Sequence, residues 1–99
     1  MPTQGIGKLD EIIHGRLRLG VMTYLSNTEV ADFSELAKAL DATRGNLSVQ
    51  LRKLEDAGYI QIEKSFVDRK SLTQARITKT GKIAFANYVK AIGDLLGNQ

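Results

Sequence analysis

Ninety-nine residues, 42% hydrophobic and 25% charged, suit one small globular domain and exclude both wholesale disorder and two separate cores. The absence of cysteine excludes disulfides, thiolate metal sites and cysteine redox sensing, and fits a cytoplasmic protein. The net charge of +3 is unevenly spread: Arg44 to Lys82 holds nine bases and four acids, a local +5, against −2 elsewhere, which points to a polyanionic partner.

Residues 1–8 contain Pro2, Gly5 and Gly7 and no periodicity. They read as a flexible lead-in, without the basic-then-apolar layout of a signal peptide. A domain over residues 9–97 follows. No apolar run approaches the roughly 20 residues of a membrane span, so no membrane partner is expected.

Leu9 to Ser26 is predicted helical, because Ile13, Leu17, Val21 and Leu25 form a stripe with four-residue spacing. Gly15 and Gly20 weaken it by about 1 kcal/mol each relative to alanine, and a break near His14 and Gly15 is open. Leu9, Ile12, Leu19 and Met22 fall outside the stripe. After a short link at Glu29 to Ala31, with one or two residues of strand, Asp32 and Glu35 have the spacing of a capping box. Leu36, Ala37 and Leu40 are the inward positions of the helix that follows, and Asp41-Ala42 is a turn.

Thr43 is the next N-cap, for a helix from Arg44 to about Ala57. Leu47, Leu51 and Leu54 are its core stripe, and Gly58 ends it. Ile60 and Ile62 alternate with Gln61 and Glu63 as a half-buried strand. Leu72 to Ile77 returns as a second strand, with Thr73, Ala75 and Ile77 on one side. With no Asn-Gly signal, the hairpin tip around FVDRK is expected to be longer than two residues. Thr78 caps a last helix from about Lys79 to Leu96, which carries apolar residues over more than one face.

The order helix, helix, turn, helix, hairpin, helix resembles the winged helix-turn-helix transcriptional regulators, MarR-like in the broad sense. The segments FSELAKAL, TRGNLSVQLRKLEDAGYI and ARITKTGK carry the resemblance, which spans roughly Leu9 to Leu96. It implies a mainly α fold with a small β-hairpin wing. It also implies sequence-specific binding of double-stranded DNA, with the helix of residues 44–57 in the major groove and the wing of residues 59–77 on backbone or minor groove. Gln50 departs from the pattern: many such units have an aliphatic residue there, and Leu51 takes over the core position.

On that helix Arg44, Asn46, Ser48, Val49 and Gln50 are assigned to base edges, since Arg bridges guanine and Asn or Gln bridges adenine. Arg52 and Lys53 are assigned to phosphate, Gly45 to close backbone approach and Thr43 to capping with a phosphate contact. On the wing, Lys64, Arg69, Lys70 and Arg76 are assigned to phosphate or the minor groove. The blander alternatives are the wet face of an amphipathic helix and a solvated charged hairpin.

Excess apolar residues on the first and last helices predict a homodimer, with Leu9, Ile12, Tyr88, Ile92 and Leu95 at its interface. A small-molecule effector is compatible with this plan, but no residue set marks a site for one. His14 is the only histidine and is assigned a structural or surface role, so no metal or cofactor is expected. No paired carboxylates, nucleophile elbow or phosphate loop is visible, which disfavours an enzyme. The main alternative is a winged-helix protein–protein interaction module in a larger assembly.

Overall fold

A computed structural model describes residues 9–97; the lead-in expected over residues 1–8 lies outside them. In chain order the elements are α1 (Arg16–Thr28), β1 (Val30–Asp32), α2 (Phe33–Ala39), α3 (Arg44–Asp56), β2 (Ile60–Val67), β3 (Lys70–Ile77) and α4 (Lys79–Leu95). This is the mainly α winged helix-turn-helix order that the sequence predicts.

The first helix starts at Arg16 rather than Leu9. Asp10 causes the difference. Its carboxylate accepts the backbone N–H of Ile12 at 2.8 Å and of Ile13 at 3.2 Å, offering the chain a local turn in place of a helix. Gly15 then adopts an extended conformation, φ −156° and ψ 143°, at the N-cap. The helix runs to Thr28, and Glu29 ends it at φ 73°.

One core gathers the stripes. Ile13, Val21, Met22 and Leu25 meet Leu36, the three leucines of α3, Ile60, Ala75, Ile77 and Tyr88. Leu9 and Leu19 pack against this cluster. The apolar excess read on the first helix is therefore largely absorbed within the chain's own core.

The sheet has the order β1-β3-β2 and is antiparallel. β1 exists as a strand because Ala31 pairs with Ala75 and both are buried. Pairing of β2 with β3 runs from Ile60 and Ile77 out to Val67 and Lys70. The turn is therefore only Asp68-Arg69, both left-handed at φ 50° and 66°, the signature of a type I′ hairpin. The longer tip expected from the sequence is not formed. Aspartate is among the few residues that adopt this conformation without glycine, and the full ladder offsets the cost at Arg69.

Thr78 joins the wing to α4. Its hydroxyl accepts the Gly81 N–H at 2.9 Å and donates to the Gly58 carbonyl at 2.6 Å. Gly81 is buried there, and a Cβ on it would lie 2.1 Å from the Tyr59 carbonyl oxygen. Only glycine lets the helix approach the backbone at Tyr59 this closely. Among the described residues no helix is long and apolar enough to cross a membrane.

Candidate nucleic-acid interface

The short turn between α2 and α3 depends on Asp41 at φ 50° and on the Ala42 N–H reaching the Ala37 carbonyl at 2.9 Å. The capping box of α2 is formed, and Glu35 takes the Asp32 N–H at 3.3 Å. Thr43 opens α3, its hydroxyl accepting the Asn46 N–H at 3.2 Å. Leu47, Leu51 and Leu54 are buried and fix the rotation of α3. With about 3.6 residues per turn, Gly45, Val49 and Arg52 fall opposite them. Ser48 flanks that strip on one side, Asn46 and Lys53 on the other.

Thr43, Arg44, Gly45, Asn46, Ser48, Val49, Arg52 and Lys53 are all exposed. Val49 is 52% exposed in the middle of this polar face. A Cβ on Gly45 would meet nothing within 4 Å, so the backbone there is unobstructed.

Gln50 is the exception, being half-buried. Its carbonyl oxygen accepts from the Arg18 guanidinium of α1, and its amide donates to the Asn46 side chain at 3.1 Å. Arg18 also donates to the Ile12 carbonyl at 2.6 Å. The departure from an aliphatic residue thus has a structural use: Gln50 ties α3 to α1 and sets the orientation of Asn46. Arg44 is likewise held, its guanidinium lying 4.7 Å from the centre of the Phe33 ring, a cation–π distance. Neither Arg18 nor Phe33 was singled out from the sequence as a positioning residue.

The wing bases divide by strand alternation. Lys64 lies on the same side as buried Ile60 and half-buried Ile62, whereas Lys70 and Arg76 lie on the other, and Arg69 is in the turn. Arg76 is 3.6 Å from Glu63 on its own face, an exposed pair that weakens its free charge little. Lys64, Arg69 and Lys70 are exposed.

Two tyrosines tie the flanks. The Tyr59 hydroxyl donates to the Asp10 carboxylate, a bond that together with desolvation pushes its pKa up to about 12. Tyr24 donates to Glu35, and that hydrogen bond raises its pKa too. His14 Nδ1 lies 2.7 Å from the Tyr88 hydroxyl, a structural tie between the N-terminal turn and α4.

The apolar candidates for a second copy fare unequally. Tyr88 is only 4% exposed, because its ring packs into the core, so little of it is left to meet a second copy. Leu9 and Ile92 pack against the core and are half-buried, as is Leu95. Ile12 is 37% exposed. The larger exposed apolar surface is on residues that were not assigned: Ile83, Val89 and Leu96, at 55%, 52% and 81%. Phe85, Val89, Ile92 and Leu96 follow one another at spacings of four, three and four, the period of a helix–helix seam.

A family model described as "Winged helix DNA-binding domain" matches residues 17–96. The structure of a transcriptional regulator homologue from Pyrococcus horikoshii OT3 superimposes with a TM-score of 0.87 at 30% identity, covering 97% of this chain and 94% of that one. An uncharacterized protein of Methanocaldococcus jannaschii is 33% identical over 88 residues, 89% of this chain and 96% of its own length. A MarR-like transcriptional regulator from Thermotoga maritima shares the fold at 23% identity and a TM-score of 0.64, covering 96% of this chain and 70% of that one. With four-fifths of its length matched by the family model and its fold shared throughout, this chain belongs to the winged helix DNA-binding domain family.

Proposed function

We propose that the protein is a sequence-specific regulator of transcription that binds double-stranded DNA as a homodimer. The observation that carries this reading is the outer face of α3. It is a continuous exposed strip of Arg44, Gly45, Asn46, Ser48, Val49, Arg52 and Lys53, backed by three buried leucines. A helix presented so, with a basic hairpin beside it, suits the major groove. Asn46 bridges adenine in this reading, Arg44 guanine, and Val49 makes an apolar contact to a thymine methyl. Gln50 acts through Asn46. Arg52, Lys53, Lys64, Arg69 and Lys70 neutralise phosphates, with Arg76 shared with Glu63.

The seam of Phe85, Val89, Ile92 and Leu96 supports pairing of two copies through α4. In such a pair the two recognition helices would sit about one DNA turn apart, roughly 34–36 Å, and would read a palindrome. The test is selection of binding sites from random duplex DNA, followed by titration at several salt concentrations. An enriched palindrome and a steep loss of affinity with salt are expected. No complex at low salt would leave the exposed seam as the main functional surface, and the protein as an interaction module of a larger assembly.

A further inference from the structure

Phe66 is 78% exposed and Val67 51% exposed, at the tip of the hairpin among Ser65, Asp68, Arg69, Lys70 and Ser71. Neither contributes to the core. Both are held in register: Phe66 pairs with Ser71 and Val67 with Lys70, and the two-residue turn closes directly beyond them. The aromatic ring is therefore presented on an ordered ladder. Lys64 precedes it on the same side of β2, Arg69 stands in the turn just beyond it, and Lys70 lies on the opposite side of the ladder beside Val67. Asp68 is the single acid between residues 64 and 70.

The reach of the wing also fits. Ile62 is the last β2 residue at the core, and the five residues beyond it are exposed. At about 3.3 Å per residue the projection is roughly 17 Å, half of the roughly 34 Å DNA turn. That is the offset from a major groove to the neighbouring minor groove.

We propose that Phe66 is an apolar wedge. With α3 in the major groove, the wing tip enters the adjacent minor groove, and the Phe66 ring inserts at a base step, unstacks it and bends the duplex. Lys64, Arg69 and Lys70 hold the flanking phosphates. Apolar side chains flanked by cations do this in minor-groove proteins. The occupant is DNA rather than another protein because the tip that carries the ring has a cation on each side of the ladder, Lys64 and Lys70, and a third in the turn, Arg69. The inference rests on the DNA-binding reading above. It adds a specificity that no hydrogen bond supplies: sites with an easily unstacked TA or CA step under the wing are preferred.

The test uses the full chain and a duplex recovered by selection from random DNA. 2-Aminopurine is placed in turn at each position flanking the α3 site, and end-to-end energy transfer reports bending. Wild type is expected to raise 2-aminopurine fluorescence at one step on each side and to shorten the end-to-end distance. Phe66→Ala is expected to abolish both signals and to weaken binding about tenfold, with an unchanged circular dichroism spectrum, since the side chain is exposed. Phe66→Leu restores most of the bending. Lys70→Ala weakens binding but keeps the fluorescence signal. Tight wild-type binding without a fluorescence change at any position would overturn the wedge and leave DNA binding standing. So would Phe66→Ala bending DNA like wild type, or losing affinity only for anionic lipid vesicles. Absence of any complex with duplex at low salt would overturn both readings.

Discussion

α3 and α4 begin alike and end with opposite surfaces. Each opens on a threonine whose hydroxyl accepts an N–H three residues on, Thr43 from Asn46 and Thr78 from Gly81. Each has a glycine in the first turn. Beyond that α3 buries one leucine stripe and leaves a polar strip, whereas α4 buries Gly81 and Tyr88 and leaves Ile83, Val89 and Leu96 exposed. A small core consumes only part of each helix, and the chemistry of the remainder decides what each can bind. The polar remainder suits a polyanion and the apolar remainder another protein surface.

The two glycines break the comparison most sharply. Gly81→Ala forces a Cβ to within 2.1 Å of the Tyr59 carbonyl, an overpacking that should destabilise the fold by about 3 kcal/mol. Gly45→Ala meets open space and should stabilise α3 by up to about 1 kcal/mol. Urea titration of the two variants measures the difference, and equal effects would mean that the helix–backbone contact at Tyr59 is not tight in solution.

The second comparison is between the apolar and the polar remainder. Val89→Asp places a charge in the α4 seam without touching the core. It should turn a dimer into a folded monomer and weaken DNA binding about a hundredfold or more, because the second half-site contact is no longer intramolecular. Sedimentation with and without duplex reads both effects. A dimer that survives Val89→Asp would move the interface away from the seam.

Within the surface proposed to face DNA, helix and wing should separate by kind of loss. Arg44→Ala with Asn46→Ala removes base discrimination of about 1–3 kcal/mol per lost bidentate contact. Arg69→Ala with Lys70→Ala weakens all sequences alike and lowers the salt slope by about 2. Competition between the selected site and unrelated DNA distinguishes the pairs. A change of preferred sequence from the wing pair alone would reverse the roles given to them.

The smallest effect concerns Tyr59, which ties β2 to the N-terminal turn through Asp10. Its pKa is about 12 in the folded protein against 10 for the free side chain. The folded state therefore keeps this proton over a range in which the unfolded chain has lost it. The stabilisation is complete below about pH 10 and declines as pH rises toward 12. Melting temperatures followed between pH 9 and 12 should fall in wild type, and fall less in Tyr59→Phe.

Much of the fold was legible because it is written in local patterns. The caps at Asp32, Thr43 and Thr78, the leucine stripe of α3, the alternation at Ile60 and Ile62 and the stop at Gly58 each depend on residues a few positions apart. The site was legible to the extent that the leucine stripe implies an opposite face. Its finer set was not. Gln50 turns toward Arg18, 32 positions away, Phe33 steers Arg44, and Tyr88 packs into the core. The tight turn at Asp68-Arg69 escaped because its signal is carried by the ladder on either side rather than by a glycine.

The sequence by itself thus determined the element order, the caps, the winged helix-turn-helix class and the basic half of the chain. Those follow from backbone propensity and from periodicity within single elements. Only the tertiary structure decided where α1 begins, how Gln50 is used, why residue 81 must be glycine and which apolar residues remain outside. These depend on contacts between segments distant along the chain, and on a core too small to bury every apolar face that the helices present.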